Sequence, residues 1–455
     1  MQNITTIMIT RLIYKDLIAW KISKNKKPLI LRGARQTGKT TLVDHFAKEY
    51  DNYLYYNLDI DEDKQIFESI NDIETLVQSL FLNRNKKLNN GSTLIFIDEI
   101  QESVKAIGQL RYFYEKIKGI DVIAAGSLLE FALKDSTSFP VGRVSYLKMH
   151  PMNFIEFLYS LKLDQLVEML DQIPIPEFAL DKLFAYFHKF AIIGGMPEVV
   201  SNYSLNEDIS STSEIFDSLL ISYRDDIVKY ASNKKQTEII NHIFENAPLI
   251  ADSRITFANF GNSNYRSDDV KNAMLQLQKA YVLQLIYPIN VLKPPAIPNK
   301  KLKPRLQFLD TGLMNYSLGI QAELLLLTDL NDGYRGKIIQ HLLIQEVQSV
   351  QTSPLFQTSF WVREKKTSNA EVDLIWQYGN LLIPVEIKSG KAGKLRSLMQ
   401  FIDNCDHHYA VRFYKGPVKI DNIVTLTGKS FKLLNIPYFL GTKLHLYVAW
   451  FVDNN

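Results

Sequence analysis

Cysteine is nearly missing from this chain, which has one, Cys405, among 455 residues. A single thiol cannot form an internal disulfide, and no Cys/His spacing typical of a metal module occurs, so a disulfide scaffold and a zinc module are excluded. Long apolar runs are missing too, since none reaches the roughly 20 residues that a membrane-spanning helix needs. The N-terminal segment lacks the basic, apolar and small-residue parts of a signal peptide. We therefore expect a cytoplasmic protein with no membrane partner.

A strong excess of charge of one sign is also lacking. The 52 Lys and Arg residues are almost balanced by 49 Asp and Glu residues, which leaves a formal net charge of +3. This balance neither requires nor excludes a nucleic-acid partner, so any basic surface has to be found locally. Length is more informative, because 455 residues exceed one hydrophobic core and suggest about three domains.

The sequence does contain a glycine-rich loop between two apolar segments. In LRGARQTGKTTLV, Gly33 and Gly38 are separated by four residues and followed by Lys39 and Thr40. The run KKPLILRG before the loop is typical of a buried parallel strand, and TTLVDHFAKEY after it has helical periodicity. The glycines allow a tight turn whose N–H groups point inward at the positive end of a helix dipole, which suits phosphate. Lys39 would reach the terminal phosphates and Thr40 would ligate Mg²⁺, unless the loop is a chance glycine-rich turn.

A second motif makes the chance interpretation less attractive. STLIFIDEIQ is an apolar strand that ends in Asp98 and Glu99, at the sheet edge where open α/β folds bind ligands. Asp98 would hold Mg²⁺, directly or through water, and Glu99 would orient or deprotonate the attacking water. Ser127 ends the next strand, IDVIAAGS, and either senses the γ-phosphate or is a solvated strand end. Arg143, in FPVGRVSYLK, either reaches a neighbour's nucleotide or lies in a surface loop.

These motifs and their order resemble a prokaryotic AAA-type ATPase family that is related to the archaeal branch of STAND NTPases. The resemblance rests on RLIYKDLIAW, LRGARQTGKTTL, FIDEIQ, AAGSLLE, GRVSYLKMHPMNFIEF and GGMPEVV, and it extends over essentially the whole chain. It implies that ATP is the nucleotide and that Arg35 and Gln36 belong to the family's form of the loop. It also implies that Arg143 is an arginine finger, which requires a homo-oligomer, and that Pro197 lies in a Gly-x-Pro lid element near the nucleotide. The residues expected to contact the nucleotide are Gly33, Arg35, Gln36, Thr37, Gly38, Lys39, Thr40, Thr41, Ser127 and Pro197.

The middle of the chain is expected to carry a lid and a DNA-binding module. Residues 156–235 are helical by periodicity and would cover the nucleotide, with a charged stretch, YRDDIVKY, that is either a solvated face or a subunit contact. Residues 236–305 follow the order of a winged helix-turn-helix: helix, short helix, turn, helix, strand. Cations in LKPPAIPNKKLKPRLQF form either a basic wing for DNA phosphates or a solvated proline-rich linker. These cations are Lys293, Lys300, Lys301, Lys303 and Arg305.

The last third of the chain contains a pattern of acidic residues and a lysine. AEVDLIWQYG places Asp373 on one strand, and LLIPVEIKSG places Glu386 and Lys388 on one face of the next, while Glu346 comes from a preceding helix. This set suits a Mg²⁺-dependent phosphodiesterase in which Asp373 and Glu386 bind the metal and Lys388 polarises the nucleophile. The order helix, three strands, helix, strand, with the EVD and VEIKSG motifs, resembles the PD-(D/E)XK nuclease fold. The alternative is a fold that keeps these residues without catalysis.

The sequence thus predicts an α/β multidomain protein: a P-loop AAA-type ATPase core (1–155), a helical lid (156–235), a winged-helix-like module (236–305) and a nuclease-like α/β domain (306–455). One function is an ATP-hydrolysing enzyme that acts on or with DNA, with nuclease activity left open. The other is a STAND-type switch, in which ATP controls assembly with a protein partner and the C-terminal domain is a non-catalytic interaction module. ATP and Mg²⁺ are the expected cofactors. The candidate catalytic residues are Lys39, Glu99, Arg143, Glu346, Asp373, Glu386 and Lys388.

Overall fold

The computed structural model describes residues 10–88, 90–127, 129, 142–228, 231, 233–327, 336–365, 368–387 and 395–454. Two large sheets and a small hairpin, surrounded by helices, give the α/β class that the sequence predicts. Within those ranges, no helix combines the length and the apolar character needed to cross a membrane.

The first sheet is parallel throughout, with the strand order β2-β3-β4-β1-β5. Its strands are β1 Leu29–Arg32, β2 Asn52–Asn57, β3 Thr93–Asp98, β4 Ile120–Gly126 and β5 Ser145–Lys148. The central strands β3 and β4 are almost wholly buried because helices cover both faces, which is why their sequences are apolar without alternation. The carboxyl ends of β1, β4 and β3 therefore meet at one edge of the sheet.

Within the described residues, five helices cover the two faces of this sheet. They are α1 Tyr14–Ile22, α2 Lys39–Phe46, α3 Asp61–Ser69, α4 Ile73–Asn83 and α5 Val104–Lys116. Leu17 and Phe46 anchor α1 and α2 on one face, and Phe67 and Leu110 anchor α3 and α5 on the other. Each such fully buried side chain stabilises the fold by roughly 1.5–3 kcal/mol, so both faces hold the sheet edge in place.

The helical region after β5 consists of α6 Phe154–Ser160, α7 Asp164–Leu170, α8 Leu180–Ile193, α9 Pro197–Asn206 and α10 Ser213–Val228. A capping box between Asn153 and Glu156 begins α6. Pro197 is the first residue of α9, a position that suits its fixed φ and missing N–H. The helices pack through a cluster of aromatic rings, of which Phe154 and Phe187 meet edge to face with centroids 5.0 Å apart.

The next region has the element order that the sequence predicts for a winged helix. Helices α11 Lys234–Ile250 and α12 Ser267–Lys279 precede an antiparallel hairpin of β6 Leu283–Ile286 and β7 Arg305–Phe308. Two short helices follow, α13 Thr311–Ser317 and α14 Gln321–Leu326.

The C-terminal sheet is mixed and has six strands in the order β12-β13-β11-β10-β9-β8. Its strands are β8 Ser359–Lys365, β9 Ser368–Tyr378, β10 Leu381–Ile387, β11 Tyr409–Tyr414, β12 Lys419–Val424 and β13 Ser430–Pro437. Its helices are α15 Lys337–Ser349, α16 Arg396–Asn404 and α17 Leu444–Asp453. The order α15, β8, β9, β10, α16, β11 is the one expected from the sequence, with β10 parallel to β11.

Arg305 does not belong to an exposed basic wing, as one interpretation of the sequence required. Its side chain is 1% exposed, and its cation lies over the Phe360 ring, 4.4 Å from the ring centroid. Nη2 donates to the Glu371 carboxylate at 2.5 Å, and Nη1 donates to the Asp373 backbone oxygen at 2.9 Å. A guanidinium must find partners when it is buried, and these partners join the β6–β7 hairpin to the C-terminal sheet.

The loop between β6 and β7 is tied to the same sheet. Ile289 N donates to Phe360 O at 2.7 Å, and Val362 N donates to Ile289 O at 3.0 Å. Lys293 forms an ion pair with Asp406. Lys300, Lys301 and Lys303 of this loop are exposed, and so is Lys293 despite its ion pair.

Candidate functional site

The loop between β1 and α2 is shaped by two glycines that no other residue replaces easily. Gly33 has φ +153°, and a Cβ there would lie 2.3 Å from the Met149 backbone oxygen. Gly38 has φ +88°, in the left-handed region that side chains disfavour. The loop turns tightly against the end of β5 and delivers the chain into α2.

Lys39 lies inside this turn. Its Nζ donates to the backbone oxygens of Gly33 at 3.0 Å and Ala34 at 2.8 Å, and the residue is only 7% exposed. Burial lowers the pKa of Lys39 to about 8, although the nearby charges of Glu99 and Asp98 act in the opposite direction. A desolvated ammonium surrounded by carbonyl oxygens is attracted strongly to any anion that enters the loop.

Thr40, at the start of α2, and Asp98, at the end of β3, meet directly. Thr40 Oγ1 donates to Asp98 Oδ2 at 2.7 Å. Asp98 Oδ1 accepts from the Glu99 N–H at 3.0 Å. Burial raises the pKa of Asp98, while Thr40 lowers it. A hydroxyl and a carboxylate placed together offer the oxygen ligands that Mg²⁺ prefers.

Glu99 has an unusual backbone conformation, with φ 48° and ψ 43°. A side chain in the left-handed region costs free energy, and such residues are concentrated at functional sites. Gln101 Nε2 donates to Glu99 Oε2 at 2.6 Å and fixes the direction of the carboxylate. Burial raises the pKa of Glu99 above its ordinary value, and the hydrogen bond from Gln101 acts in the opposite direction. The strained turn after β3 thus aims a partly desolvated carboxylate at the sheet edge.

Ser127 follows β4, the strand that lies between β1 and β3. Its side chain is 2% exposed, and its Oγ has no hydrogen-bond partner within the described part of the chain. This location excludes the solvated strand end that the sequence left open. A buried hydroxyl without a partner is rare, and its position between the loop and Asp98 makes it available to a ligand.

Arg143 lies just before β5 and forms an ion pair with Glu115 of α5. Its side chain is 37% exposed. Arg143 is therefore on the surface, as both sequence interpretations allow.

Arg11 supports the loop from behind, although the sequence analysis assigned it no role. Nη1 donates to Thr37 O at 2.7 Å, Nη2 donates to His150 O at 2.6 Å, and Nε pairs with Glu156 at 3.1 Å. Arg11 thereby ties the phosphate loop to the end of β5 and to α6. An isolated arginine that far before the loop carries no signal in a single sequence, so spacing could not have identified it.

The helical region touches the loop at two places. Pro197 Cγ would lie 3.7 Å from a Cβ added to Gly38, so the start of α9 lies against the loop. The stretch YRDDIVKY, at the end of α10, also reaches it: Tyr223 OH donates to Arg35 O at 2.5 Å, and Arg35 Nη1 pairs with Asp226 Oδ1 at 3.0 Å. Tyr223 and Asp226 are buried, so the stretch is more than the solvated face expected from its charge.

In the C-terminal sheet, Asp373 and Glu386 come close to each other. β9 and β10 are antiparallel with Leu374 opposite Val385, and the same register places Asp373 opposite Glu386. Both residues are buried, and Asp373 Oδ2 accepts from Ile387 N at 2.8 Å. Lys388 lies outside the described residues.

Glu346 does not join them, contrary to the prediction. Its carboxylate accepts from the Phe154 N–H, at 3.2 and 3.1 Å for the two oxygens, at the start of α6. Glu346 is fully buried, and burial raises its pKa well above the ordinary value. Among the residues the structure describes, no group of three His, Cys, Asp or Glu side chains could hold a metal ion. The reason is geometric: the face of α15 that carries Glu346 packs on the helical region.

Family comparisons agree with the geometry of the first sheet. Residues 25–158 match the model described as an AAA domain. Residues 185–324 and 335–438 match two models described as domains of unknown function, DUF8612 and DUF4143. A curated protein of Haemophilus influenzae, described only as uncharacterized, is 26% identical over 226 residues, which cover 47% of this chain. The match spans about half of that relative's length, 49%.

Solved structures resemble the chain only distantly. A Walker-type ATPase of Pyrococcus abyssi is 14% identical and has a TM-score of 0.43, covering 67% of this chain and 94% of its own. The ORC1 protein of Aeropyrum pernix in complex with DNA is 11% identical with a TM-score of 0.30, covering 69% and 92%. The PCH-2 protein of C. elegans is 15% identical with a TM-score of 0.27, covering 41% and 56%. With TM-scores below 0.5, these structures support neither fold nor function.

The residues at the carboxyl edge of the first sheet fit ATP and Mg²⁺. The loop provides a glycine-lined turn and a buried ammonium, Thr40 and Asp98 provide oxygen ligands, and Ser127 provides a hydroxyl with no partner in the described ranges. The parallel sheet and the match over residues 25–158 agree with this chemistry. Residues 25–158 are thus similar to AAA domains, and the sheet edge that they form has the chemistry to hold a nucleoside triphosphate with Mg²⁺.

Proposed function

We propose that this chain binds ATP with Mg²⁺ and hydrolyses it at the carboxyl edge of the first sheet. The observation that carries the proposal is the pairing of Thr40 with Asp98 beside the buried Lys39. Loop N–H groups and the start of α2 favour the phosphates, and Lys39 neutralises the terminal ones. Thr40 and Asp98 hold the Mg²⁺, which screens the phosphate charge when bound.

Glu99 is the proposed general base for the attacking water. Its carboxylate is held by Gln101, and its raised pKa brings it closer to the pH at which a base is most effective. The buried Ser127 hydroxyl would donate to a γ-phosphate oxygen or to the water. The base is therefore positioned by a strained turn and an amide rather than by a flexible loop.

Arg143 is the proposed residue that acts on a neighbour's site. It is exposed and held at the surface by Glu115, which suits a side chain that reaches another copy of the chain. The site would then hydrolyse ATP faster in a homo-oligomer. ATPase rates measured against protein concentration test this, because Arg143→Ala should remove the concentration dependence that wild type shows.

Nucleotide titration tests the proposed binding site. Lys39→Ala should weaken binding of a fluorescent ATP analogue at least 100-fold, since the buried ammonium is the principal charge facing the phosphates. Lys48→Ala is the matched control, because Lys48 is exposed just after α2 and should leave binding unchanged. Equal affinity for wild type and Lys39→Ala would reject the site.

DNA is the proposed partner of the β6–β7 loop. The support is the winged-helix element order together with the exposed Lys300, Lys301 and Lys303. Replacing the three lysines with alanine should weaken duplex binding and reduce the slope of log affinity against log salt by about 2.7, or 0.9 per lost phosphate contact. The control is a variant with the exposed Lys15, Lys48 and Lys86 replaced, which has the same net charge. Equal losses in both variants would show nonspecific attraction.

A second candidate function is Mg²⁺-dependent cleavage of a phosphodiester at Asp373 and Glu386. The observation in its favour is that the register of β9 and β10 puts these two buried residues opposite each other. Asp373→Asn should abolish plasmid nicking, whereas Glu346→Gln should leave it intact because Glu346 contacts α6 instead. If wild type does not nick DNA under any metal or nucleotide condition, the switch interpretation, with a non-catalytic C-terminal domain, is favoured.

A further inference from the structure

One helix of the helical region grips the phosphate loop through two independent contacts. Asp226 of α10 pairs with the Arg35 guanidinium at 3.0 Å, and Tyr223, one turn earlier, donates its hydroxyl to the Arg35 backbone oxygen. Residues three apart lie on the same helix face, so the two contacts act together. The carboxylate and the ring are buried, whereas the Arg35 side chain is 30% exposed.

The charge of Arg35 also acts on residues of the proposed nucleotide site. Its charge is close enough to contribute to lowering the pKa of Lys39, and it lowers the pKa of Glu99 as well. The guanidinium therefore has two possible anionic partners. One is Asp226, and the other is any phosphate that the loop holds near Lys39. A planar guanidinium can pair with either, since carboxylate and phosphate present similar pairs of oxygens.

The opposite end of α10 is attached to the rest of the molecule. Phe216 stacks on Tyr316 of α13 with ring centroids 4.9 Å apart, and Tyr316 OH donates to Asp217 at 2.8 Å. α13 in turn packs on α15 of the C-terminal region through a bond from Thr311 N to Gln345 at 2.9 Å. A displacement of α10 at the loop would therefore change its contacts with α13.

We propose that Arg35 exchanges Asp226 for the γ-phosphate when ATP binds, so that α10 is held by the loop in the ADP state and released in the ATP state. This inference rests on the proposed ATP site. ADP lacks the γ-phosphate, so it leaves the Arg35–Asp226 pair intact. ATP competes with Asp226, and Tyr223 and Asp226 are the positioning residues that set the strength of this competition.

Affinities for ATPγS and ADP test the exchange. Asp226→Asn removes the competing charge, so ATPγS should bind more tightly by about 10-fold, within the usual range of coupling between two sites, while ADP affinity changes less than about 2-fold. Asp225→Asn is the matched control, because Asp225 is exposed on the same turn. Tyr223→Phe, which keeps the ring, should also favour ATPγS, but by a smaller factor.

Hydrogen exchange gives a second measurement that does not depend on the Asp226 variant folding well. Amides of α10 should exchange faster with ATPγS than with ADP in wild type, and this difference should vanish in Arg35→Ala. If Asp226→Asn shifts both affinities equally or neither, or if α10 exchanges alike in both nucleotides, the exchange is overturned while the ATP site stands. If wild type binds neither nucleotide, the proposed function itself fails.

Discussion

The chain has two candidate sites for phosphate chemistry, and they differ in how their residues are brought together. At the edge of the first sheet, Lys39, Thr40, Asp98 and Glu99 come from two short motifs at element boundaries. The structure places Thr40 in contact with Asp98, and the charges of both carboxylates act on Lys39. In the C-terminal sheet, Asp373 and Glu386 come together, but the helix residue Glu346 turns to a different neighbour. The position of a side chain is predicted well when its residue lies at the end of a strand. It is predicted poorly when it depends on which face of a helix meets which neighbour.

The largest expected effect separates binding from turnover at the first site. Glu99→Gln keeps the shape of the side chain but removes its basicity, so ATP turnover should fall by about 10²–10⁴-fold while ATP affinity is kept. Phosphate release and nucleotide titration on the same sample measure the two. Glu102→Gln is the control, since Glu102 lies in the same short turn. Unchanged turnover would remove Glu99 from the mechanism.

Removing Arg11, which supports the phosphate loop, should have the next largest effect. Arg11→Ala leaves Glu156 buried without its cationic partner and removes a bond to the Thr37 oxygen, so the ATPase region should lose about 3–5 kcal/mol of stability. Denaturant unfolding followed by tryptophan fluorescence checks this, with the exposed Lys15→Ala as control. A shift as small as that of the control would mean that the loop does not depend on Arg11.

Acid should destabilise the C-terminal side of the molecule through His341. This residue is fully buried, with Nδ1 2.9 Å from Thr311 Oγ1 and Nε2 3.1 Å from Phe308 N, and burial lowers its pKa to about 4. The unfolded chain, with a histidine pKa near 6.5, binds the extra proton first, so stability should fall as pH drops from about 6.5 to about 4, by about 3 kcal/mol in all. His341→Gln should flatten this part of the pH profile. The exposed His408→Gln should not, and a profile that His341→Gln leaves unaltered would contradict the assignment.

The smallest expected effect concerns Glu346. Glu346→Ala leaves the buried Phe154 N–H without its acceptor and should cost about 1–3 kcal/mol, whereas Glu346→Gln keeps an acceptor and should cost less. Thermal unfolding of the two variants measures the difference. If Glu346→Gln instead abolished a nuclease activity without changing stability, Glu346 would belong to the C-terminal site after all.

The sequence was informative where a motif coincides with an element boundary. Gly33 and the pair Asp98–Glu99 mark strand ends in a parallel sheet, Gly38 marks the start of α2, and parallel strands bring such ends to one edge. The α/β class, the element order of the C-terminal sheet and the winged-helix order were predictable from periodicity for the same reason. These predictions needed only the order of helices and strands along the chain and not the contacts of individual side chains.

The remaining contacts depend on which face of a helix meets which neighbour. α15 is buried at nearly every position from Ile338 to Gln348, on its polar as well as its apolar side, so the apolar spacing of its sequence does not tell which neighbour the polar side contacts. The end of α10 is charged and resembles a solvated face, yet Tyr223 and Asp226 are buried against the loop. Arg305 stands in a basic run but is buried against Glu371 and Asp373 of the C-terminal sheet. Long-range partners of this kind leave no local signal.

The account depends most directly on ATP hydrolysis at the loop that follows β1. The decisive measurement is Mg²⁺-dependent phosphate release from ATP by the full chain, compared between wild type, Lys39→Ala and Lys48→Ala at the same protein concentration. Turnover by wild type and Lys48→Ala, with none above background for Lys39→Ala, is the predicted result. Equal turnover in all three proteins, or none in wild type, would contradict the account.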